Sequence, residues 1–183
     1  MLSSDEYVGA IIAAAVAREL GLPAADPGKI ILAQHKFYSR EAQRRVAPEA
    51  TPPAVLLPIS GVKPEDVTIE FPFFVKPCKG TFSVFADKVA DFAALKKHLS
   101  FNILERLAIN RVAKPYNDLL REFTDLEHDA SHFCGEGLMK GDQVTVEGFA
   151  FDGRVQVMGV DDSVMSDVPD PICRWSGEPV YGM

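Results

Sequence analysis

One apolar run, FPFFV, ends in two closely spaced lysines and a loop, KPCKGTFS. Lys76 follows the apolar run directly, and Lys79 precedes Gly80. The loop then carries two hydroxyl side chains, Thr81 and Ser83. Backbone N–H groups and hydroxyls of a tight loop can bind phosphate oxygens, while a lysine on the adjacent strand supplies positive charge. The segment therefore indicates a local anion site, and a hairpin with solvent-facing lysines is the alternative.

Composition and charge narrow the class of protein. The 183 residues are 47% hydrophobic and 25% charged, which is typical of a globular protein with one domain or two small lobes. The net charge of -7 argues against broad binding to nucleic acid or to an anionic membrane. Three scattered cysteines without a CxxC pair favour a reducing compartment. We therefore expect a cytoplasmic protein with neither nucleic acid nor membrane as a partner.

The familiar phosphate-binding and metal-binding motifs are absent from the sequence. It contains no GxxxxGK[ST] and no GxGxxG, so neither a P-loop nor a Rossmann fingerprint accounts for the lysines. The four histidines show neither HxxxH nor HExxH spacing, and we assign no metal ligand and no catalytic residue.

Helices are predicted before and after the lysine segment. The run VGAIIAAAVA predicts a core-facing helix capped by Ser3 or Ser4, and Asp26-Pro27 predicts the start of another. Asp91 is a suitable cap for the amphipathic segment DFAALKKHL. Ser100 is expected to cap a further helix, FNILERLAINRVA, which Pro115 interrupts.

Two groups of antiparallel strands complete the predicted fold. The strand that ends at Lys76 is expected to pair with residues 84–86. Asp152-Gly153 joins the alternating runs QVTVEGFAF and RVQVMGVDD, a strong signal for a hairpin in a second lobe. The order of elements predicts an α+β fold of two small lobes, in which antiparallel strands are combined with helices.

Taken in order, four segments resemble the ATP-grasp superfamily of carboxylate–amine ligases. The resemblance extends to about Ser163. The segments are SSDEYVGAIIAAAVARELGLP, HKFYSREAQ, FPFFVKPCKGTFSV and GEGLMKGDQVTVEGFAFDGRVQVMGVDDSV.

The resemblance implies a nucleotide-binding role for the lysines. Lys36 is similar to the first ATP-contacting lysine, near the phosphates, and Lys76 to the second, between adenine and α-phosphate. The loop from Gly80 to Ser83, with Thr81 inside it, would close over the β- and γ-phosphates, and Lys79 would contribute beside it.

The segment EGLM resembles the hinge that holds the adenine. There the family implies contacts by Glu136, Gly137, Leu138 and the Met139 backbone N–H, and Phe74 could line the same slot. Gln143 stands where relatives carry a carboxylate on the ribose hydroxyls. We expect Lys36, Lys76, Glu136 and the Met139 backbone to line one cleft between the lobes.

As a whole, the resemblance implies an ATP-dependent ligase that joins a small carboxylate to an amine through an acyl phosphate. The family also uses Mg²⁺, but nothing after Ser163 resembles its acidic metal ligands, so we expect a partial chain that is not catalytic alone. The predicted division is 1–28 for the end of a preceding domain, 29–130 for the first lobe and 131–183 for the start of the second. The alternatives are a non-catalytic nucleotide-binding or interaction module, and a decayed gene product.

Overall fold

The computed structural model describes residues 3, 5, 7–80, 84–141 and 144–162. Contacts between Cα atoms divide the chain into two compact units, Met1–Gly137 and Leu138–Met183. The helices are α1 (Gly9–Glu19), α2 (Pro27–Gln34), α3 (Lys36–Val46), α4 (Phe92–His98) and α5 (Ile103–Phe123). The strands are β1 (Ala54–Pro58), β2 (Phe73–Pro77), β3 (Asp87–Val89), β4 (His132–Gly137), β5 (Val144–Phe151) and β6 (Arg154–Asp162). The predicted α+β class is confirmed, whereas the three-part division of the chain stays a prediction.

In the first unit, four strands form an antiparallel sheet in the order β1-β4-β2-β3. Strand β4 lies between β1 and β2 and pairs with both over its length. This pairing explains why the boundary between the two units falls after Gly137.

The two faces of this sheet differ in chemistry. Because successive side chains of a strand point to opposite faces, Phe73 and Val75 of β2 lie on one face and Lys76 lies on the other. The first face packs against α4 through the buried residues Val55, Leu57, Val62, Phe73, Val75, Val89, Leu95, Leu99 and Phe133. The apolar face thus anchors the sheet, and the opposite face is left for charged side chains.

A second apolar core lies among α1, α2 and α5. Its buried members are Ile11, Ile31, Tyr116, Leu120 and Ala130. The hydroxyl of Tyr116 donates a hydrogen bond to the carbonyl oxygen of Ile31 at 2.8 Å, which satisfies a buried polar group and ties α5 to α2. This core packs α1, α2 and α5 together, and α3 follows α2 directly in the chain.

Two predicted helix starts are wrong. Helix α1 begins at Gly9, and the carboxylate of Asp5, rather than Ser3, accepts hydrogen bonds from the backbone N–H groups of residues 7–9; Ser4, the other predicted cap, lies outside the described residues. Helix α5 is capped by Asn102, which forms a capping box with Glu105, whereas the Ser100 hydroxyl bonds back to the carbonyl of Lys96.

Two further predictions fail because tertiary packing overrides local signals. Helix α5 continues through Pro115, since Tyr116, Asn117 and Leu120 beyond it are buried. The strand that pairs with β2 is β3, Asp87–Val89, and not residues 84–86, because Phe85 adopts a left-handed backbone conformation with φ of 58° that breaks the strand.

The second unit contains the predicted hairpin. Strands β5 and β6 pair antiparallel with a register shift between Glu147 and Gly148. The turn residues Asp152 and Gly153 both have positive φ, 49° and 71°, as a two-residue hairpin turn requires. The hairpin prediction is therefore confirmed.

None of the helices in the described part of the chain combines the length and the apolar content needed to cross a membrane.

Candidate functional site

The polar face of the sheet carries a nearly buried ionic cluster around Glu136. The Lys76 ammonium lies 2.9 Å from Glu136 Oε2. The Arg40 guanidinium binds both carboxylate oxygens, with Nε 3.1 Å from Oε1 and Nη2 3.3 Å from Oε2. The side chains of Glu136, Lys76 and Arg40 are 4%, 6% and 16% exposed. At such burial a single carboxylate or ammonium would be strongly destabilising, so the three groups depend on one another.

Strand register accounts for the contact between Lys76 and Glu136. Cys134 of β4 lies opposite Lys76 of β2, and Glu136 is two residues further along β4, on the same face. The long lysine side chain reaches this diagonal neighbour. The thiol of Cys134 lies 3.8 Å from Glu136 Oε1, and burial raises the pKa of this thiol to about 12.

Helix α3 carries Arg40 of this cluster and a further cation, Lys36. Its first residue, Lys36, is fixed to the strand region by a hydrogen bond from its backbone N–H to the carbonyl of Cys78 at 2.9 Å. Its N-cap is His35, whose Nδ1 accepts from the Tyr38 N–H at 3.5 Å. Arg40 lies one turn further along the helix, on the side that carries Lys36.

Lys36 is close enough to Lys76 for their charges to repel. Its ammonium donates a hydrogen bond to the carbonyl oxygen of Gly80 at 3.0 Å. Burial lowers the pKa of Lys36, and the neighbouring charge of Lys76 lowers it further, while the carboxylate of Glu136 acts in the opposite direction. Two lysines from distant segments are thus held together beside the loop that begins at Gly80, an arrangement that is favourable for an anion.

Lys79 lies in a different environment. Its ammonium is 3.1 Å from Gln34 Oε1 and lies over the rings of Tyr7 and Tyr116, 4.8 and 5.4 Å from their centroids. These contacts connect Lys79 to α2 and α5. Cation–π contacts therefore hold Lys79 itself in place, and its assignment to ATP stays a prediction.

Gly137 has a packing reason for its lack of a side chain. Its backbone N–H donates to the carbonyl of Pro53 at 2.9 Å. A Cβ atom at position 137 would lie 2.7 Å from Pro53 Cγ, which is closer than packing permits. The close approach of β4 to the residue before β1 thus requires glycine here.

The other predicted residues lie outside this cluster or outside the described part of the chain. Phe74, on the same strand face as Lys76, is buried. Leu138 and Met139 belong to the second unit, and each is 39% exposed. Thr81, Ser83 and Gln143 lie outside the described residues. The structure thus brings together Lys36, Lys76 and Glu136 of the predicted set.

The candidate residues from sequence did not include Arg40 as a site residue. A usable signal was present, because Arg40 follows Lys36 by four residues and residues at that spacing share one face of a helix. Its carboxylate partner is 96 residues away in the chain, so the pairing itself could not be read from local sequence.

The described residues do not form a magnesium site. Within residues 3, 5, 7–80, 84–141 and 144–162, no group of three or more His, Cys, Asp or Glu side chains could hold a metal ion.

No protein-family model and no curated protein matches the sequence. Solved structures do match the described fold. An L-amino acid ligase from Bacillus licheniformis superimposes with a TM-score of 0.60 and 16% identity, over 87% of this chain and 34% of that protein. The VanG D-Ala:D-Ser ligase from Enterococcus faecalis gives 0.52 and 17%, over 82% and 38%.

A third structure is D-alanyl-alanine synthetase A from Vibrio cholerae, with a TM-score of 0.51 and 13% identity over 83% of this chain and 40% of that one. The chain has the fold of the ATP-grasp ligases. The resemblance predicted from the four sequence segments is confirmed at the level of the fold. The chain spans between 34% and 40% of the length of these three ATP-grasp structures, so their whole activity is not transferred to it by the match.

Proposed function

We propose that this chain contains the ATP-binding part of an ATP-dependent carboxylate–amine ligase. The observations that carry the proposal are the bond of the Lys36 ammonium to the Gly80 carbonyl and the ion pair of Lys76 with Glu136, two lysines whose charges act on one another. The Glu136 carboxylate offsets part of the repulsion between the two partly desolvated ammonium groups, and a bound anion would offset more of it. The phosphates of ATP supply that anion.

The residues of the cluster have distinct tasks in this proposal. Lys76 contacts the phosphate nearest the adenine, and Glu136 sets the position of its ammonium in the absence of nucleotide. Lys36 contacts the phosphates beside the loop, and replaces its bond to the Gly80 carbonyl by a bond to phosphate. Charge-assisted hydrogen bonds of this kind contribute roughly 1.5–3 kcal/mol each.

The substrate class follows from the proteins that share the fold. One of them is named as an L-amino acid ligase and another as a D-Ala:D-Ser ligase. We therefore assign an amino acid carboxylate as the group that ATP phosphorylates and an amine as the acceptor. Within this proposal, the described residues bind and orient the nucleotide, and the contacts to both organic substrates lie outside the cluster.

Thermal unfolding in the presence of ATP tests the binding proposal. At about 100-fold excess over the dissociation constant, a ligand that binds only the folded state stabilises it by about 2.7 kcal/mol. We expect this stabilisation for the wild-type chain and its loss for Lys76→Met, which removes the ammonium and keeps the length of the side chain. The matched control is Lys63→Met, because the Lys63 side chain is 69% exposed and its ammonium lies 3.9 Å from Glu65, while its 2.8 Å bond to Asp66 comes from the backbone and is kept.

Comparison of ligands separates a nucleotide site from a simple anion site. ATP should stabilise the chain at lower concentration than inorganic tripolyphosphate, because the base adds apolar contacts. Equal stabilisation by ATP and by tripolyphosphate would indicate that the site binds phosphate and does not recognise the base. A folded wild-type chain that shows no shift with ATP at any concentration would refute the proposal. Release of phosphate from ATP, measured in the same samples with candidate amino acids, distinguishes a ligase reaction from binding alone.

A further inference from the structure

Arg40 and Lys76 contact the same carboxylate in different ways. Arg40 binds both oxygens of Glu136 through Nε and Nη2, whereas the Lys76 ammonium lies 2.9 Å from Oε2. A guanidinium that holds both oxygens is a geometrically specific partner, and an ammonium on a flexible stem is a mobile one.

Arg40 is itself held in place from the other side. Its Nη1 donates to Gln43 Oε1 at 2.6 Å, and Gln43 lies one turn further along the same helix. The bond to Gln43 therefore restricts the orientation in which the Arg40 guanidinium contacts Glu136 on the sheet. Glu136, by contrast, is 3% exposed as a residue and cannot turn to water for another partner.

These contacts matter when Lys76 moves to a phosphate. If Glu136 had Lys76 as its sole cation, movement of the ammonium would leave a buried carboxylate without a partner, which is strongly unfavourable. Because Arg40 holds both oxygens, Glu136 stays neutralised when the lysine leaves. The movement of Lys76 then does not leave the Glu136 carboxylate without a cation.

We propose that Arg40 is a positioning residue that neutralises Glu136 and so releases Lys76 to bind the phosphate groups of the nucleotide. This inference rests on the proposed function and adds a residue to it that does not contact the ligand. Arg40 acts through Glu136, and its effect therefore depends on whether the carboxylate is present.

The test is a calorimetric titration of the full chain with ATP in four forms: wild type, Arg40→Met, Glu136→Gln and the double variant. In Arg40→Met, Lys76 becomes the one cation of the described residues that contacts Glu136, and ATP must displace that charge-assisted bond. We expect binding about tenfold weaker, which corresponds to the loss of one such bond. In the double variant the Glu136 carboxylate no longer competes for Lys76, and we expect affinity within about threefold of the wild type.

The matched control is Arg44→Met. Arg44 lies one turn after Arg40 on the same helix, and it pairs with Glu41 at 2.8 Å and with the Pro52 carbonyl at 3.2 Å. Its substitution should leave the affinity for ATP unchanged. A general loss of helix stability would instead weaken binding in both arginine variants, and that result would overturn the inference.

The remaining outcomes also decide the matter. Wild-type affinity in Arg40→Met, or a double variant as weak as Arg40→Met, refutes the role of Arg40 and leaves the nucleotide site intact. If Arg40→Met does not fold, the double variant and Arg40→Lys decide: the first should bind as the wild type does, and the second more weakly, because lysine cannot hold both oxygens. Absence of ATP binding by the wild type would refute the proposed function itself.

Discussion

Replacement of His35 by phenylalanine should remove much of the acid sensitivity of this fold. His35 is fully buried at the junction of α2 and α3. Its Nδ1 accepts from the Tyr38 N–H at 3.5 Å, and its Nε2 lies 3.3 Å from the carbonyl of Asp129. The neutral ring with its proton on Nε2 satisfies both contacts. A second proton on Nδ1 would face the Tyr38 N–H. It would break the N-cap hydrogen bond of α3, the helix that carries Lys36 and Arg40.

The change in unfolding free energy with pH follows from the pKa of the His35 ring. Burial, and to a smaller extent the charges of His132 and Lys36, lowers the pKa of His35 from 6.5 to about 4, although the hydrogen bond to Asp129 raises it. Below pH 6.5 the unfolded chain therefore takes up a proton that the folded chain does not bind. Stability is fully present above pH 6.5 and is lost as the pH falls to about 4. At about 1.4 kcal/mol per pKa unit, the total loss is about 3 kcal/mol.

Urea unfolding followed by circular dichroism between pH 7.5 and 4.5 measures this effect. At pH 7.5 we expect His35→Phe to be less stable than the wild type, because it lacks both hydrogen bonds. By pH 4.5 the difference should have shifted in favour of the variant by more than about 2 kcal/mol. Val75→Ala, a substitution in the sheet core, is the control and should stay offset from the wild type by a constant amount. Parallel pH curves for the wild type and His35→Phe would refute the reasoning.

Three further substitutions test the contacts that support the site. Glu136→Gln should destabilise the chain by roughly 3–5 kcal/mol in urea unfolding at pH 7, since it leaves two cations without their shared carboxylate; a cost below about 1 kcal/mol would contradict the buried ion cluster. Tyr116→Phe removes one of the two donors to the Ile31 carbonyl, while the His35 N–H remains, and should cost about 0.5–1.5 kcal/mol; an unchanged urea midpoint would show that this bond contributes nothing. Asp91→Ala removes the N-cap of α4 and should lower stability by about 1 kcal/mol, whereas Asp91→Asn should restore most of it; equal loss in both variants would argue against the cap.

Short-range features of this protein were predictable because their causes are local. The hairpin at Asp152-Gly153 depends on a two-residue turn that tolerates positive φ, and Asp26 and Asp91 cap helices within three residues of themselves. The predicted end of helix α5 at Pro115 was wrong for the opposite reason. Burial of Tyr116 and Leu120 in a core formed with α1 and α2 outweighs the local penalty of the proline.

The candidate site shows the same division between local and long-range causes. By itself, the sequence determined the lysine types, the loop after Lys76 and the order of the segments that resemble ATP-grasp ligases. Only the tertiary structure decided which charges meet. The pairing of β2 with β4 places Glu136 beside Lys76, and packing of α3 adds Arg40 from 96 residues away. Charge pairing at such separation depends on strand register and helix packing, which nonlocal burial of apolar surface determines rather than the residues next to each charge.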